Sequence, residues 1–444
     1  MLWVSLALGE DAGSRAVADR WAPVIYQDVA DGPWNDPDMR RLDLLTTVDF
    51  DGTLDPTDNV ENATAGDAPM RPALYYDIVE SETHYFILYS FFHPVDWDEW
   101  GLVDHENDME HAWLVVEKHV DGTSSLLALH VQAHGEFMGY ADRPLTGNFL
   151  LSDGGISVEG ERPRLFVEAH GHGPASCSAA GGLPYTQAID CDPASDEDLV
   201  VYRVVEGAGA DAVDEPDVSA GGIVESGYAL VPALEALWPY RTSVDGQATP
   251  VLWDDPFGYV PGRNGDADAA NDLALDAGDA WGAQFAGDEG GGGGVPPWGY
   301  LVDDDYLGGN TFGARGDWLV DPAALFATLY RDYACSDREA FWNYLDNPYV
   351  VAVSDASVTP PWDGVDRGRR CDGTAWPVDS GAAGETGHPG DTGLPGDTAA
   401  SSANDESARA ATPSGGCGCE GGGGAWAPAG LLLCLPFRRS RRAR

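Results

Sequence analysis

Lysine is almost missing from this chain of 444 residues: Lys118 stands alone, and arginine supplies nearly all the rest of the positive charge. Together Lys and Arg number 24 against 74 Asp and Glu, which leaves a formal charge of −50. A surface of that sign repels phosphate backbones, so nucleic-acid binding is excluded as the working activity. It attracts divalent cations, and it also keeps a protein soluble. Familiar catalytic signatures are lacking too. There is no G-x-S-x-G elbow, no Walker loop and no dinucleotide fingerprint. A zinc-protease H-E-x-x-H beginning at His105 would need histidine where Met109 stands, and the inverted form fails around His111.

Cysteine is scarce, and its seven positions fall into two groups. Cys177, Cys191, Cys335 and Cys371 lie in the body of the chain, at wide spacings that suit disulfides in an oxidising compartment. Cys177 with Cys191 and Cys335 with Cys371 are the short-loop pairings among three possible connectivities. Cys417, Cys419 and Cys434 belong to the tail.

The two ends differ from the body. The opening MLWVSLALGEDAGS has a short apolar run without a basic residue ahead of it. It reads either as a leader over residues 1–13 or as the first element of the fold. Residues 373–414 form a Gly/Asp/Thr/Ser linker in which Gly381 to Gly396 recur at every third position. That is too few triplets for a collagen helix and reads as an acidic spacer. Residues 415–444 join Gly-Cys-Gly-Cys to a short apolar run and the arginine tail RRSRRAR. The run falls short of the roughly 18–20 residues of a spanning helix.

Residues 14–372 read as one globular domain. Asp11–Arg20 predicts a short helix and Trp21–Val29 a strand. Ala73–Glu80 and His84–Phe92 predict a hairpin, as do Trp113–Val120 and Leu126–His134 around Asp121-Gly122. Leu165–His170 and Leu199–Val205 predict further strands. Gly207–Tyr306 reads as acidic, glycine-rich loop. Helix signals follow Asp321-Pro322 and open at Ser336 with Glu339, and Tyr349–Ser354 reads as a closing strand. The fold class expected is mainly β, an antiparallel β-sandwich with long acidic loops and a few helices.

Nine of the ten histidines fall between His84 and His172. The densest stretch, His93 to Glu110, mixes imidazoles, carboxylates and indoles: HPVDWDEWGLVDHENDME. Strand parity places Asp108 with Glu110, His130 with Gln132 and His134, and His170 with His172, and so predicts that three strands bring these groups to one surface. Imidazole with carboxylate is metal-site vocabulary. His111 and His119 are expected to face solvent. Asp96, Asp98 and Glu99 read as an acidic loop from which Asp96 reaches a cation as an upstream ligand. Trp97 and Trp100 read as caps on the core or as a platform for a sugar or lipid head group.

The run from YYDIVESETHYFILYSFFHPVDW through HENDMEHAWLVVEK and LHVQAHGEF to LFVEAHGHG resembles the vacuolar protein sorting-associated protein 62 family. More distantly it is similar to the necrosis- and ethylene-inducing-like proteins. The latter are β-sandwiches that hold a divalent cation at the His, Asp and Glu of a G-H-R-H-D-W-E heptapeptide. That resemblance implies His105, Asp108 and Glu110 as ligands, with His134 and His172 as the later histidines. Calcium or magnesium ranks ahead of zinc. Glu106-Asn107 and Met109 depart from the heptapeptide. The tail is similar to the myxobacterial C-terminal sorting tag. It implies export, transient anchoring in the membrane, cutting near Cys417 and Cys419 by envelope sorting machinery, and display at the outer surface. The function expected is cation-dependent binding of an extracellular glycan or lipid head group. The rivals are a secreted metal-dependent hydrolase, with Glu110 or His134 as general base, and a structural envelope protein whose histidines serve the fold.

Overall fold

The computed structural model describes residues 12–31, 36–97, 102–133, 136–141, 155–177, 191–192, 198–245, 250–254, 257–258, 280–288, 293–298, 319, 322–323, 326 and 344–349. All of them belong to one unit spanning Met1 to Asp379. The expectations for the linker, the sorting tag, Cys335, Cys371, Cys417, Cys419 and His134 lie outside the described residues, as do residues 1–11 of the leader, Asp98, Glu99, Trp100, Ser336 and Glu339; Ala12 and Gly13, the last of the expected leader, open a helix.

In chain order the elements are helix α1 (Ala12–Trp21), β1 (Val24–Asp28), a 3-10 turn (Pro37–Asp43), a second (Pro56–Asp58), α2 (Asn59–Ala65), β2 (Ala73–Ser81), β3 (His84–Trp97), β4 (Val103–Lys118), β5 (Ser124–Ala133), β6 (Glu136–Tyr140), β7 (Val158–Glu159), β8 (Arg162–Val167), β9 (Pro174–Ser176), β10 (Leu199–Val204), β11 (Ile223–Pro232) and α3 (Ala233–Ala236). Four two-residue strands follow, β12 (Trp253–Asp254), β13 (Phe257–Gly258), β14 (Ala280–Trp281) and β15 (Gln284–Phe285), and then β16 (Tyr344–Asp346).

Twelve strands make one sheet in the order β6-β5-β4-β3-β2-β11-β10-β1-β8-β7, with β16 beside β2 and β9 beside β8. It is mixed. The hairpin side from β2 to β6 is antiparallel, whereas β1 with β8, β10 with β11 and β11 with β2 run parallel. The fold is therefore mainly β, but it is one large curled mixed sheet rather than an antiparallel sandwich. The curl brings β9, near one end of the order, against β4 and β5 near the other.

Both faces of this sheet are covered. Tyr89, Phe91, Val95, Leu114 and Leu129 face the concave side, where they pack with Trp21, Ile25, Leu165 and Val200 from the opposite arm. Phe86, Phe92, Met109, Trp113 and Ala128 face the convex side and meet Trp238, Trp253, Trp281 and Trp298 from the later segments. A sheet buried on both faces shows weak polar alternation, which is why β3 and β4 run longer than their sequence patterns.

Several local expectations fail for identifiable reasons. The strand expected to end at His170 stops at Val167, because His170 and His172 have φ of 72° and 52° and turn the chain. The stretch 207–306 contains β11, an inner strand of the main sheet, in which Gly227 makes room for the Val205 side chain. Tyr344 and Leu345, the end of the helix expected to open at Ser336 and run through REAFWNYL, belong instead to β16, which pairs with β2 through Tyr344 and Asp346, and Tyr349 is helical. Val350–Ser354, the rest of the closing strand, lie outside the described residues, as does most of the Asp321 helix; Leu319, Ala323 and Phe326 are buried against the convex core. Cys177 and Cys191 are disulfide-bonded, Cα atoms 5.7 Å apart.

Candidate metal centre

The candidate centre lies on the concave face, where the curl carries the β8–β9 turn over β3 and β4. His93 and Asp108 are direct cross-strand partners on these strands. His172 descends onto them from the turn, its ring stacked on His93 with centroids 3.7 Å apart and planes 8° from parallel. One donor atom each from His93, Asp108 and His172 fall within 4.8 Å of one another, and all three residues are buried.

Each side chain is held from behind. His172 Nδ1 lies 3.0 Å from Asp108 Oδ2 and its Nε2 3.3 Å from Asp43 Oδ1, so the ring bridges two buried carboxylates. Burial lowers the pKa of His172, but the two carboxylates outweigh it and push the value up to about 9. Asp43, which ends the first 3-10 turn, is fixed by Trp97 Nε1 at 3.0 Å, His170 N at 2.8 Å and Ala30 N at 2.8 Å. Trp97 is thus an internal hydrogen-bond donor, 1 % exposed, and not a surface platform.

The orientation of His93 is set by Gln27. The Gln27 amide nitrogen donates to Asp28 O and Glu168 O, at 3.1 and 3.2 Å, which turns its oxygen toward His93 Nε2 at 3.2 Å. Nε2 therefore carries the proton and Nδ1 keeps its lone pair. Nδ1 is buried and has no hydrogen-bond partner among the described residues. Burial and the neighbouring His172 hold the His93 pKa well below its ordinary value, so the ring is neutral. A buried lone pair on a neutral imidazole, beside a carboxylate, fits a metal ligand.

His105 and Asp96 form the rim, with Nε2 and Oδ2 3.4 Å apart and both side chains partly exposed. Burial and the nearby Asp108 push Asp96 up to about 7, against the pull of His105 and His172.

Of the residues expected from the sequence, Asp108 and His172 meet, whereas His105 pairs with Asp96 outside the tight cluster. Glu110 is buried on the concave side of β4 opposite Phe91, outside the tight cluster. His130 and Gln132 face the convex side instead, paired across the strands with Trp113 and His111. The parity argument fails there because each strand's alternation says nothing of its neighbour's phase. His111 is buried rather than solvent-facing, with Nδ1 2.9 Å from Ser90 Oγ and Nε2 2.7 Å from Val295 O. The sequence carries no signal for Asp43 or Gln27, and His93 opens a stretch that stands out in sequence only as a whole, through to Glu110.

No family model matches the chain, and no curated relative matches it. Among solved structures it is similar to NLPPya in complex with glucosamine, at 18% identity over 41% of this chain and 74% of that one, TM-score 0.25. It is also similar to necrosis and ethylene inducing protein 2 from the causal agent of cocoa's witches' broom disease, at 20% identity over 26% of this chain and 49% of that one, TM-score 0.18. The non-toxic HaNLP3 protein matches at 13% identity over 38% of this chain and 65% of that one, TM-score 0.22. These neighbours belong to the group of proteins that the HENDME motif resembles.

Proposed function

We propose that this chain is a divalent-cation-binding β-domain, centred on Asp108, that engages an extracellular ligand. The observation that carries the reading is the convergence of one donor atom each from His93, Asp108 and His172, together with a buried His93 Nδ1 that has no hydrogen-bond partner among the described residues. His93 and Asp108 would supply the inner donors, and Asp96 and His105 the side open to solvent. Imidazole nitrogens suit zinc or manganese, and added carboxylate oxygens suit magnesium or calcium, so the ion is identified by metal analysis. The ligand class proposed is a glycan or lipid head group, met at the rim beside His105 and the exposed Leu102. Glucosamine and mannosamine, the ligands of the NLPPya complexes, serve as first probes. Export, transient anchoring and surface display belong to this proposal through the tail's resemblance to a sorting tag.

The experiment is thermal unfolding of the full chain with chelator and with Ca²⁺, Mg²⁺, Mn²⁺ or Zn²⁺. One of these should raise Tm, and should not do so for Asp108→Ala. Equal melting temperatures throughout would remove the reading. A second reading has its own support. His172 already satisfies Asp43 and Asp108 as an internal cation, as a purely structural charge network would. It predicts no cation effect on Tm in the same assay.

A further inference from the structure

The proposed function leaves the identity of the ion open, and one buried amide bears on it. Gln27 lies on β1 two residues after Ile25, and so shares the concave face into which Ile25 packs. Its amide is fully buried there, which is costly unless every bond is made. Here the bonds are made. Both protons on Nε2 are used, toward Asp28 O at 3.1 Å and Glu168 O at 3.2 Å, and Oε1 faces His93 Nε2 at 3.2 Å. Turning the amide over would set its oxygen against two carbonyl oxygens, so the network permits one orientation. In the sheet order β2, β11 and β10 stand between β1 and β3, so this contact exists only because the sheet curls.

The consequence falls on His93. Its Nε2 donates to Gln27, which leaves Nδ1 as the nitrogen with a free lone pair. Nδ1 is buried, and no group among the described residues donates to it. One donor atom of His93 lies within 4.8 Å of donor atoms on Asp108 and His172. With Nε2 engaged, Nδ1 is the nitrogen able to bind an ion. We infer that Gln27 is a positioning residue of this centre, holding His93 in the tautomer that ligates through Nδ1, and that the centre thereby takes a nitrogen-accepting transition ion of the zinc class in preference to calcium or magnesium. The inference rests on the cation reading above and narrows it. Calcium and magnesium take oxygen ligands and gain little from an imidazole lone pair, whereas zinc and cobalt bind it well. Gln27 acts only through His93, because its own oxygen is occupied by the ring.

The test uses the full chain and has two readouts. The first is the His93 tautomer in chelator, read from nitrogen-15 NMR of the histidine rings, with the signal identified by its absence from His93→Phe. The parent should carry the proton on Nε2, and Gln27→Met should shift it in part to Nδ1. The second is calorimetric titration of Zn²⁺, Co²⁺, Ca²⁺ and Mg²⁺, each alone, with near-UV circular dichroism as the control of folding. The parent should bind Zn²⁺ and Co²⁺ more tightly than Ca²⁺ and Mg²⁺. Gln27→Met should bind Zn²⁺ and Co²⁺ about 10–100-fold more weakly than the parent, as for groups that orient metal ligands, and Ca²⁺ and Mg²⁺ should move less. A folded Gln27→Met with the parent's affinities, or with an equal loss for all four ions, would overturn the inference. Should Gln27→Met fail to fold, the parent decides: a proton on Nδ1, or tighter binding of Ca²⁺ or Mg²⁺ than of Zn²⁺, overturns it as well. A parent chain that binds none of the four ions removes the cation reading itself, a result that the tautomer, read without metal, keeps distinct.

Discussion

Replacing His172 with alanine tests the charge arrangement at the heart of the concave face. The ring is fully buried and donates to Asp43 and Asp108 from its two nitrogens. Without it Asp43 keeps three donors, from Ala30, Trp97 and His170. Asp108 loses its bond to Nδ1 and its nearest positive charge. Removing one partner of a buried ion pair costs about 3–5 kcal/mol, because the remaining charge stays buried without compensation. For a domain of this size that corresponds to a fall in Tm of roughly 4–7 °C. Part of any loss would come from the cavity beside His93, so the single variant is insufficient. Adding Asp108→Asn to His172→Ala removes the stranded carboxylate and should return about 2 kcal/mol, making the pair strongly non-additive. The assay is urea unfolding in chelator, followed by tryptophan fluorescence. A loss below about 1 kcal/mol for His172→Ala, or simple additivity in the double variant, would show that the imidazolium does not hold these carboxylates.

Two further outcomes follow from groups away from the centre. Asp77 is buried on the convex side, accepting from Leu234 N at 3.1 Å, while its Oδ2 lies near the Tyr349 hydroxyl without completing a hydrogen bond. Burial pushes it up to about 7. Its folded pKa exceeds the unfolded value near 3.9, so its contribution is full below about pH 4 and is lost as pH rises toward 7. At pH 8 Asp77→Asn should exceed the parent in stability by up to about 4 kcal/mol, and at pH 4 it should not; equal stabilities at both values would contradict the buried-acid account. Reducing Cys177–Cys191, which closes a loop of sequence separation 14, should cost about 3 kcal/mol in urea unfolding with dithiothreitol. No change on reduction would mean the loop is ordered without the bond.

How much of this was legible in sequence depended on range. The hairpins at β2–β3 and β4–β5 were readable because alternation and turn chemistry are local, and Asp121-Gly122 sits in the turn with Gly122 at φ 83°. Asp108 and His172 were reached through a motif resemblance, and the structure places them in contact. Asp43 was not legible, since one aspartate at the end of a short 3-10 turn carries no signal until the sheet curls and His172 arrives from 129 positions away. His93 was hidden by its company, for it looked like the start of an acidic loop rather than a strand position opposite Asp108. The parallel strands escaped for a related reason: β11 pairs with β10 and β2 through crossings that no periodicity records. The left-handed His170 and His172 were equally invisible, and they lie past the end of the strand on which the parity of that pair relied.

The central claim is that Asp108 anchors a divalent cation with His93 beside it. Metal content of the full chain, measured by plasma mass spectrometry after equilibration with Ca²⁺, Mg²⁺, Mn²⁺ and Zn²⁺ and removal of free ions, tests it most directly. The account predicts one tightly held divalent ion per parent chain, lost in Asp108→Ala and weakened in His93→Ala, with both variants folded. A parent chain that retains no divalent ion, or an Asp108→Ala chain that retains as much as the parent, would contradict it.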